Sequence, residues 1–248
     1  MSGHSKWATI KRKKAANDAA RGKMFTRLIK EIQIAAREGG GDPENNPRLR
    51  LAIQNAKSAN MPADNIKKAI MRGTGEMEGV HYDEITYEGY GPGGVAILIE
   101  VVTDNRNRTV AEIRHLFSKY NGNLAENGSV AWKFSRKGII RVPSTYDEEE
   151  LLLTIIDAGA EDLKTEGESY VISTPVDKLD AVKRALEENG IEILESNLTM
   201  VPQNTLKIEG KEAEQVLRLM EAFEDHDDVQ NVYADFDIDD TVMEKLQD

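Results

Sequence analysis

GIIRVPSTYDEEELLLTIIDAGAEDLKTEGESYVISTPVDKLDAVKRALEENGIEILESNLT, residues 138–199, carries the order of elements that decides the fold. Its apolar positions switch between the two-residue period of a strand and the 3.6-residue period of a helix. The segments read as a strand over 138–142, a helix over 147–158, strands over 161–165 and 169–173, a helix over 176–188 and a strand over 191–199. That is βαββαβ, the ferredoxin-like order.

Outward from this block, residues 205–209, a helix with Ala213, Val216, Leu217 and Met220 inward, and a strand over 229–236 make half of a second such unit. The other half lies upstream. Residues 95–102 are apolar on both faces, as a central strand covered on both sides must be. Thr109 and Glu112 read as a capping box for a helix with Ile113, Leu116, Phe117 and Tyr120 inward, and Val130, Trp132 and Phe134 alternate as a strand. The expected fold class is therefore α+β, with one ferredoxin-like unit, 137–199, inserted into another, 79–136 with 200–248. Two contiguous units are the other layout this order allows.

Residues 1–78 read as a basic helical domain. Met24, Phe25, Leu28, Ile29, Ile32 and Ala36 recur at helical spacing, with Lys23, Arg27 and Lys30 on a separate face. After Gly39-Gly40-Gly41, Asn46 caps a second helix with Pro47 at its first position and Leu49, Ala52, Ile53 and Ala56 on one side. Ile66, Ala69 and Ile70 stripe a third, and Gly73 sits where a C-terminal cap belongs.

Charge divides the chain at the same place. Residues 1–75 hold 16 Lys/Arg and 6 Asp/Glu, whereas residues 76–248 hold 16 and 38, within a total of −12 over 248 residues. A cationic end on an acidic body is the footprint of a protein that meets a polyanion head-first. His4, Ser5, Lys6, Trp7, Lys11, Arg12, Lys13, Lys14, Arg21, Lys23, Arg27 and Lys30 are the expected nucleic-acid contacts, since stacking and hydrogen-bonding groups stand among the cations. Arg106 and Arg108 precede a helix start, where the macrodipole disfavours cations, and Arg114 follows; these three are expected to meet an anion or RNA, unless Asp104 and the acidic surroundings neutralise them.

Other readings fall away on spacing. Residues 89–94, GYGPGG, match GxGxxG, but Gly94 leads into a strand where a dinucleotide site needs a helix, so a turn between strands is expected. DFDIDD at 235–240 resembles a calcium loop but has Asp240 where glycine belongs and Leu246 where glutamate belongs, leaving a solvated acidic strand end. His4, His81, His115 and His226 are scattered, so no metal is expected, and no nucleophile elbow or Walker loop points to an enzyme or cofactor. The chain has no cysteine, no apolar run long enough to span a membrane and no secretory signal. A basic, acid-poor start also fits a mitochondrial transit peptide, which the compact GHSKW opening argues against. A cytoplasmic monomer is expected.

GHSKWATIKRKKAANDAARGKMFTRLIKEI at 3–32, GGDPENNPRLRLAIQNAKSANMP at 40–62, TDNRNRTVAEIR at 103–114, NGNLAENGSVAWKF at 121–134 and DDVQNVYADFDI at 227–238 together resemble the YebC family. The likeness runs nearly end to end; Ser2 replaces a commoner alanine. Resemblance to this family of bacterial transcriptional regulators and a mitochondrial translational activator implies three domains, cytoplasmic location, no catalysis, and binding to DNA or to the ribosome. A helix-turn-helix can be drawn over 47–72, yet its second helix leads with Asp64 and shows no row of base-reading side chains. DNA-binding transcription regulation, ribosomal RNA contact in translation, and a small-molecule-sensing or protein-interaction module are the three functions these residues leave open.

Overall fold

The computed structural model describes residues 18–238, with side chains from residue 22 onward. The chain is α+β, a helical N-terminal region followed by two four-stranded antiparallel sheets and a short two-stranded parallel one. It divides into two compact units: Trp132–Thr205, and the chain on either side of it, up to Ala131 and from Leu206.

The outer unit begins with helices α1 (Asp18–Gly39), α2 (Pro47–Ser58) and α3 (Ala63–Thr74). Their small apolar stripes close a core of Ile32, Ala35, Ala36, Leu49, Ala52, Ala56, Met61, Ile66 and Ala69, while Met24 stays exposed. Asn46 joins α1 to α2. Its Oδ1 accepts from Leu49 N at 3.0 Å as the α2 N-cap, and its buried Nδ2 donates to Ala35 O and Gly40 O at 2.7 and 2.8 Å. The α3 cap is Gly75, at φ +82°, and not Gly73. Gly73 lies inside the helix for a packing reason: a Cβ there would stand 2.4 Å from Gln33 O of α1.

The same unit continues into β1 (Asp83–Tyr90), β2 (Ala96–Thr103), α4 (Arg106–Lys119) and β3 (Asn123–Ala125). The sheet is ordered β3-β1-β2-β9, where β9 is Val229–Ala234, and every adjacent pair is antiparallel. This is the ferredoxin-like strand order with one change of route. The position that βαββαβ gives to its third strand is filled by β1, which precedes β2 as a hairpin partner. The GYGPGG segment is the hairpin turn, closed by Gly91 N to Val95 O at 2.8 Å, with Gly93 and Gly94 at positive φ. Asn105, not Thr109, caps α4, its side chain accepting from Arg108 N. Beneath the sheet α4 packs beside α7 (Gly210–Glu224), where the fully buried Phe117 and Phe223 meet edge to face at 4.8 Å. Such a pair adds about 0.5–1.5 kcal/mol beyond its area burial.

Two further expectations change here. Asp235 is buried, not solvated, and its Oδ1 accepts from Ala96 N at 2.8 Å, tying the end of β9 to β2. A short parallel pair, β8 (Leu206–Lys207) with β10 (Phe236–Asp237), follows it; Asp239 and Asp240 lie outside the described residues. Val130 is buried in a loop, and in the inner unit Trp132 sits on a 3-10 turn, Ala131–Lys133, with its residue 66% exposed, so the strand there starts only at Phe134.

In the inner unit β4 (Phe134–Pro143), α5 (Glu148–Asp157), β5 (Asp162–Glu166), β6 (Ser169–Thr174), α6 (Leu179–Glu188) and β7 (Glu195–Pro202) form an antiparallel sheet ordered β5-β6-β4-β7. That is the ferredoxin-like order with its ferredoxin-like connections. Ile140, Val142, Tyr170 and Ile172 face Leu151 and Ile155 of α5 and Val182 and Leu186 of α6. Asp147 caps α5, accepting from Glu149 N and Glu150 N at 3.0 Å.

Candidate nucleic-acid interface

Two sets stand out among the cations of the described helical region. Lys23, Arg27 and Lys30 lie on one face of α1, three and four residues apart, and all three meet the C-terminal end of α7 and the loop after it. Lys23 Nζ donates to Asp225 O and Oδ1 at 3.0 and 3.1 Å, and Arg27 donates to Glu224 O. Lys30 is 6% exposed, and its ammonium donates to Val102 O, Asp227 O and Asp228 Oδ1 at 3.1, 3.0 and 2.9 Å. The last carbonyls of a helix lack partners and carry the negative end of its dipole, so cations settle there. Lys30 has thus used all three donors within the chain.

Asp228 is the centre of this contact. Its Oδ2 lies 2.6 Å from Arg108 Nη2, 2.8 Å from Thr109 Oγ1 and 3.1 Å from Thr103 Oγ1. Burial would raise its pKa, but the hydrogen bonds from Arg108, Lys30 and Thr109 outweigh burial and hold the carboxyl well below the usual range. His226 Nδ1 accepts from Asp228 N, which leaves its proton on Nε2, 3.0 Å from Glu112 Oε2. A cavity of about 500 Å³ opens here, lined by Asp104, Glu112, Asp225, Asp227 and Asp228 as well as Lys30 and Arg108. A phosphate would meet five acids, and a metal ion on Glu112, His226 and Asp228 would face the Lys30 and Arg108 charges already seated on Asp228.

Arg106 and Arg108 are therefore accounted for by the acidic surroundings. Arg106 grips Asp83 with Nε and Nη2, both at 2.9 Å, and Arg108 bridges Asp104 and Asp228. Arg114 differs: it is exposed on α4 and forms no ion pair among the described residues. Residues His4 to Lys14 lie outside the described residues, and Arg21 falls within α1 with no side-chain description.

The second set of head cations was not singled out as contacts by sequence reasoning. Arg50 and Lys57, two turns apart on α2, and Lys67 and Lys68 on α3 are exposed and make no ion pair among the described residues; Arg50 has one long bond, 3.4 Å, to Glu44 O. Arg48, their neighbour, is by contrast enclosed by Glu31, Glu38 and Glu84 at 2.9, 2.7 and 2.5 Å. The available signal was that α2, PRLRLAIQNAKS, contains three cations and no acid.

The inner unit offers little to a nucleic acid through its sheet. Strand alternation puts Ser135, Lys137, Ile139 and Arg141 opposite the helix-covered face, paired with Val201, Thr199, Asn197 and Glu195. No aromatic residue stands at these positions for base stacking, and Arg141 is held by Glu166 at 2.9 Å.

A family model described as the TACO1/YebC protein N-terminal domain matches residues 5–76, and one described as the TACO1/YebC second and third domain matches residues 82–236. The chain belongs to the TACO1/YebC family. Its relatives include proteins named probable transcriptional regulatory protein from Natranaerobius thermophilus, 57% identical over 98% of this chain and 99% of that one, and from Desulfotalea psychrophila, 58% identical over 99% of each. The crystal structure of a conserved hypothetical protein from Aquifex aeolicus is similar at 48% identity and a TM-score of 0.80, covering 90% of this chain and 93% of that one. Curated relatives thus carry a regulatory name. Among the described residues no helix is long and apolar enough to cross a membrane.

Proposed function

We propose that this chain is a non-enzymatic, cytoplasmic, monomeric regulator that binds nucleic acid head-first, through the basic arm and the α2–α3 face, and that its target is DNA in transcription control. The observation that carries the reading is the set Arg50, Lys57, Lys67 and Lys68, exposed and without ion pairs among the described residues, on the basic head of a chain that is otherwise strongly acidic. In this reading residues 1–78 dock, while 79–136 with 200–248, and the inserted 137–199, form the acidic body that orients the encounter. The regulatory names of the relatives support transcription.

One observation favours ribosomal RNA as the second reading. The exposed face of α3 carries Asp64 beside Lys67 and Lys68, where a base-reading helix would present arginine or amides, and an acid there opposes close approach to a duplex backbone. Crosslinking the full chain in cells and sequencing the attached nucleic acid separates the two. Recovery chiefly of promoter DNA is the expected result; recovery chiefly of large-subunit RNA would replace transcription by translation. Replacing Lys11, Arg12, Lys13 and Lys14 with glutamate is expected to abolish recovery of either, and unchanged recovery would remove the arm from the interface.

A further inference from the structure

Between residues 105 and 125 the acidic body reverses its sign. This stretch holds Arg106, Arg108, Arg114 and Lys119 and one acid, Glu112, whereas residues 76–248 as a whole hold 38 acids against 16 cations. On α4 the helical repeat gathers Asn107, Arg114, His115, Ser118 and Lys119 on the solvent side, and all five are exposed. The lone acid, Glu112, lies on the Lys119 side of the helix, seven residues before it, and is occupied: Glu112 Oε2 is 3.0 Å from His226 Nε2 and 3.8 Å from Arg108 Nε. Arg106 and Arg108, the two arginines that the acidic surroundings could neutralise, are indeed paired, so the charge left over belongs to Arg114 and Lys119. Lys119 Nζ rests 5.3 Å over the Tyr120 ring, an exposed contact that leaves its donors accessible.

We infer that the exposed face of α4 is a second phosphate-backbone contact, separate from the basic head, so that nucleic acid is held at two places on the outer unit. This rests on the reading of the chain as a nucleic-acid-binding protein. The chemistry fits. An arginine and a lysine supply charge, Ser118 and Asn107 supply neutral donors, and His115 offers an N–H in either protonation state. From Asn107 to Ser118 the face runs roughly 16 Å along the helix axis, long enough for more than one phosphate. A phosphodiester chain leaving the head would otherwise run against the acidic body; this is the part of that body that does not repel it.

Salt dependence reads the number of phosphates engaged, with log Kobs falling by about 0.9 per phosphate on duplex DNA and about 0.7 on single strands for each tenfold rise in salt. The test uses the full chain with three probes: a 30-base-pair DNA duplex, a 30-nucleotide single-stranded RNA and purified large-subunit ribosomal RNA. The double variant Arg114→Gln/Lys119→Gln is expected to lower the slope by about 1.4 to 1.8 on whichever probe binds, with an unchanged circular dichroism spectrum and urea midpoint. Lys211→Gln, an exposed cation of the same unit on α7, controls for net charge and should leave the slope alone. If Lys67→Gln/Lys68→Gln lowers the slope and the α4 variant does not, the second contact is overturned and the head-first reading stands. An equal drop with Lys211→Gln also overturns it, as a general charge effect. If the wild-type chain binds none of the probes, the nucleic-acid reading itself fails.

Discussion

Lys23, Arg27 and Lys30 on α1 and Arg50, Lys57, Lys67 and Lys68 on α2 and α3 are alike in composition and belong to the same helical region, yet they have opposite fates. The first set is bonded to the α7 end and its loop; the second stands in water. What separates them is the supply of acceptors. The end of α7 at Glu224 and the loop after it, with Asp225, Asp227 and Asp228, offer both carboxylates and carbonyls, and α1 meets them with matching spacing. Counting positive residues cannot distinguish a cation that holds the protein together from one left for a partner. Only the location of the nearest anion can.

The comparison breaks most visibly at Lys30. Lys30→Ala leaves Asp228 buried with one cation fewer and strands Asp227 O and Val102 O, and is expected to cost about 3–5 kcal/mol in urea denaturation. A loss below about 1 kcal/mol would place Lys30 among the solvated cations after all.

Acid should act on the same contact. Because the folded Asp228 carboxyl titrates below its ordinary 3.8, its contribution is complete above that value and is lost as pH falls through the depressed one. Stability of the wild type should therefore drop steeply below about pH 4, and Asp228→Asn should flatten that slope by up to one proton, about 1.4 kcal/mol per pH unit. An unchanged slope would mean that other carboxylates control the acid limb.

Glu88 extends the comparison to an anion with no cation beside it among the described residues. Its buried carboxylate accepts from the backbone N–H groups of Gly128, Val130 and Ala131 at 2.6, 2.6 and 2.8 Å. Burial opposes its charge, but these bonds prevail and keep its pKa lowered. Glu88→Gln places an NH2 group among donors and should cost about 1–3 kcal/mol, with faster protease cleavage within 126–131; an unchanged cleavage rate would show that the loop is held otherwise. At the small end, Lys57→Ala and Lys67→Ala should each stay within about 0.5 kcal/mol of the wild type in the same denaturation experiment.

These contrasts also mark what was legible in the sequence. The inner βαββαβ unit could be read because each element keeps its period over several residues and its neighbours in sequence are its neighbours in space. The Asn46 cap and the hairpin at GYGPGG were readable for the same reason, being set by residues a few positions apart. Lys30 and Asp228 are 198 residues apart, Glu88 and Val130 42 apart, and Asp235 and Ala96 139 apart. Nothing local announces such pairs, so Asp235 read as solvated, Lys30 as a nucleic-acid contact and Glu88 as nothing in particular. Gly73 misled in another way. A glycine near a helix end has two physical uses, and here close approach won over capping.

That close approach has a dynamic side. With no side chain at Gly73, the backbone of α3 lies against the Gln33 carbonyl, the acceptor for the amide of residue 37 in the α1 ladder. Parting of the two helices uncovers that carbonyl to water. Hydrogen exchange at the Arg37 amide should therefore quicken in variants that move α3 away from α1.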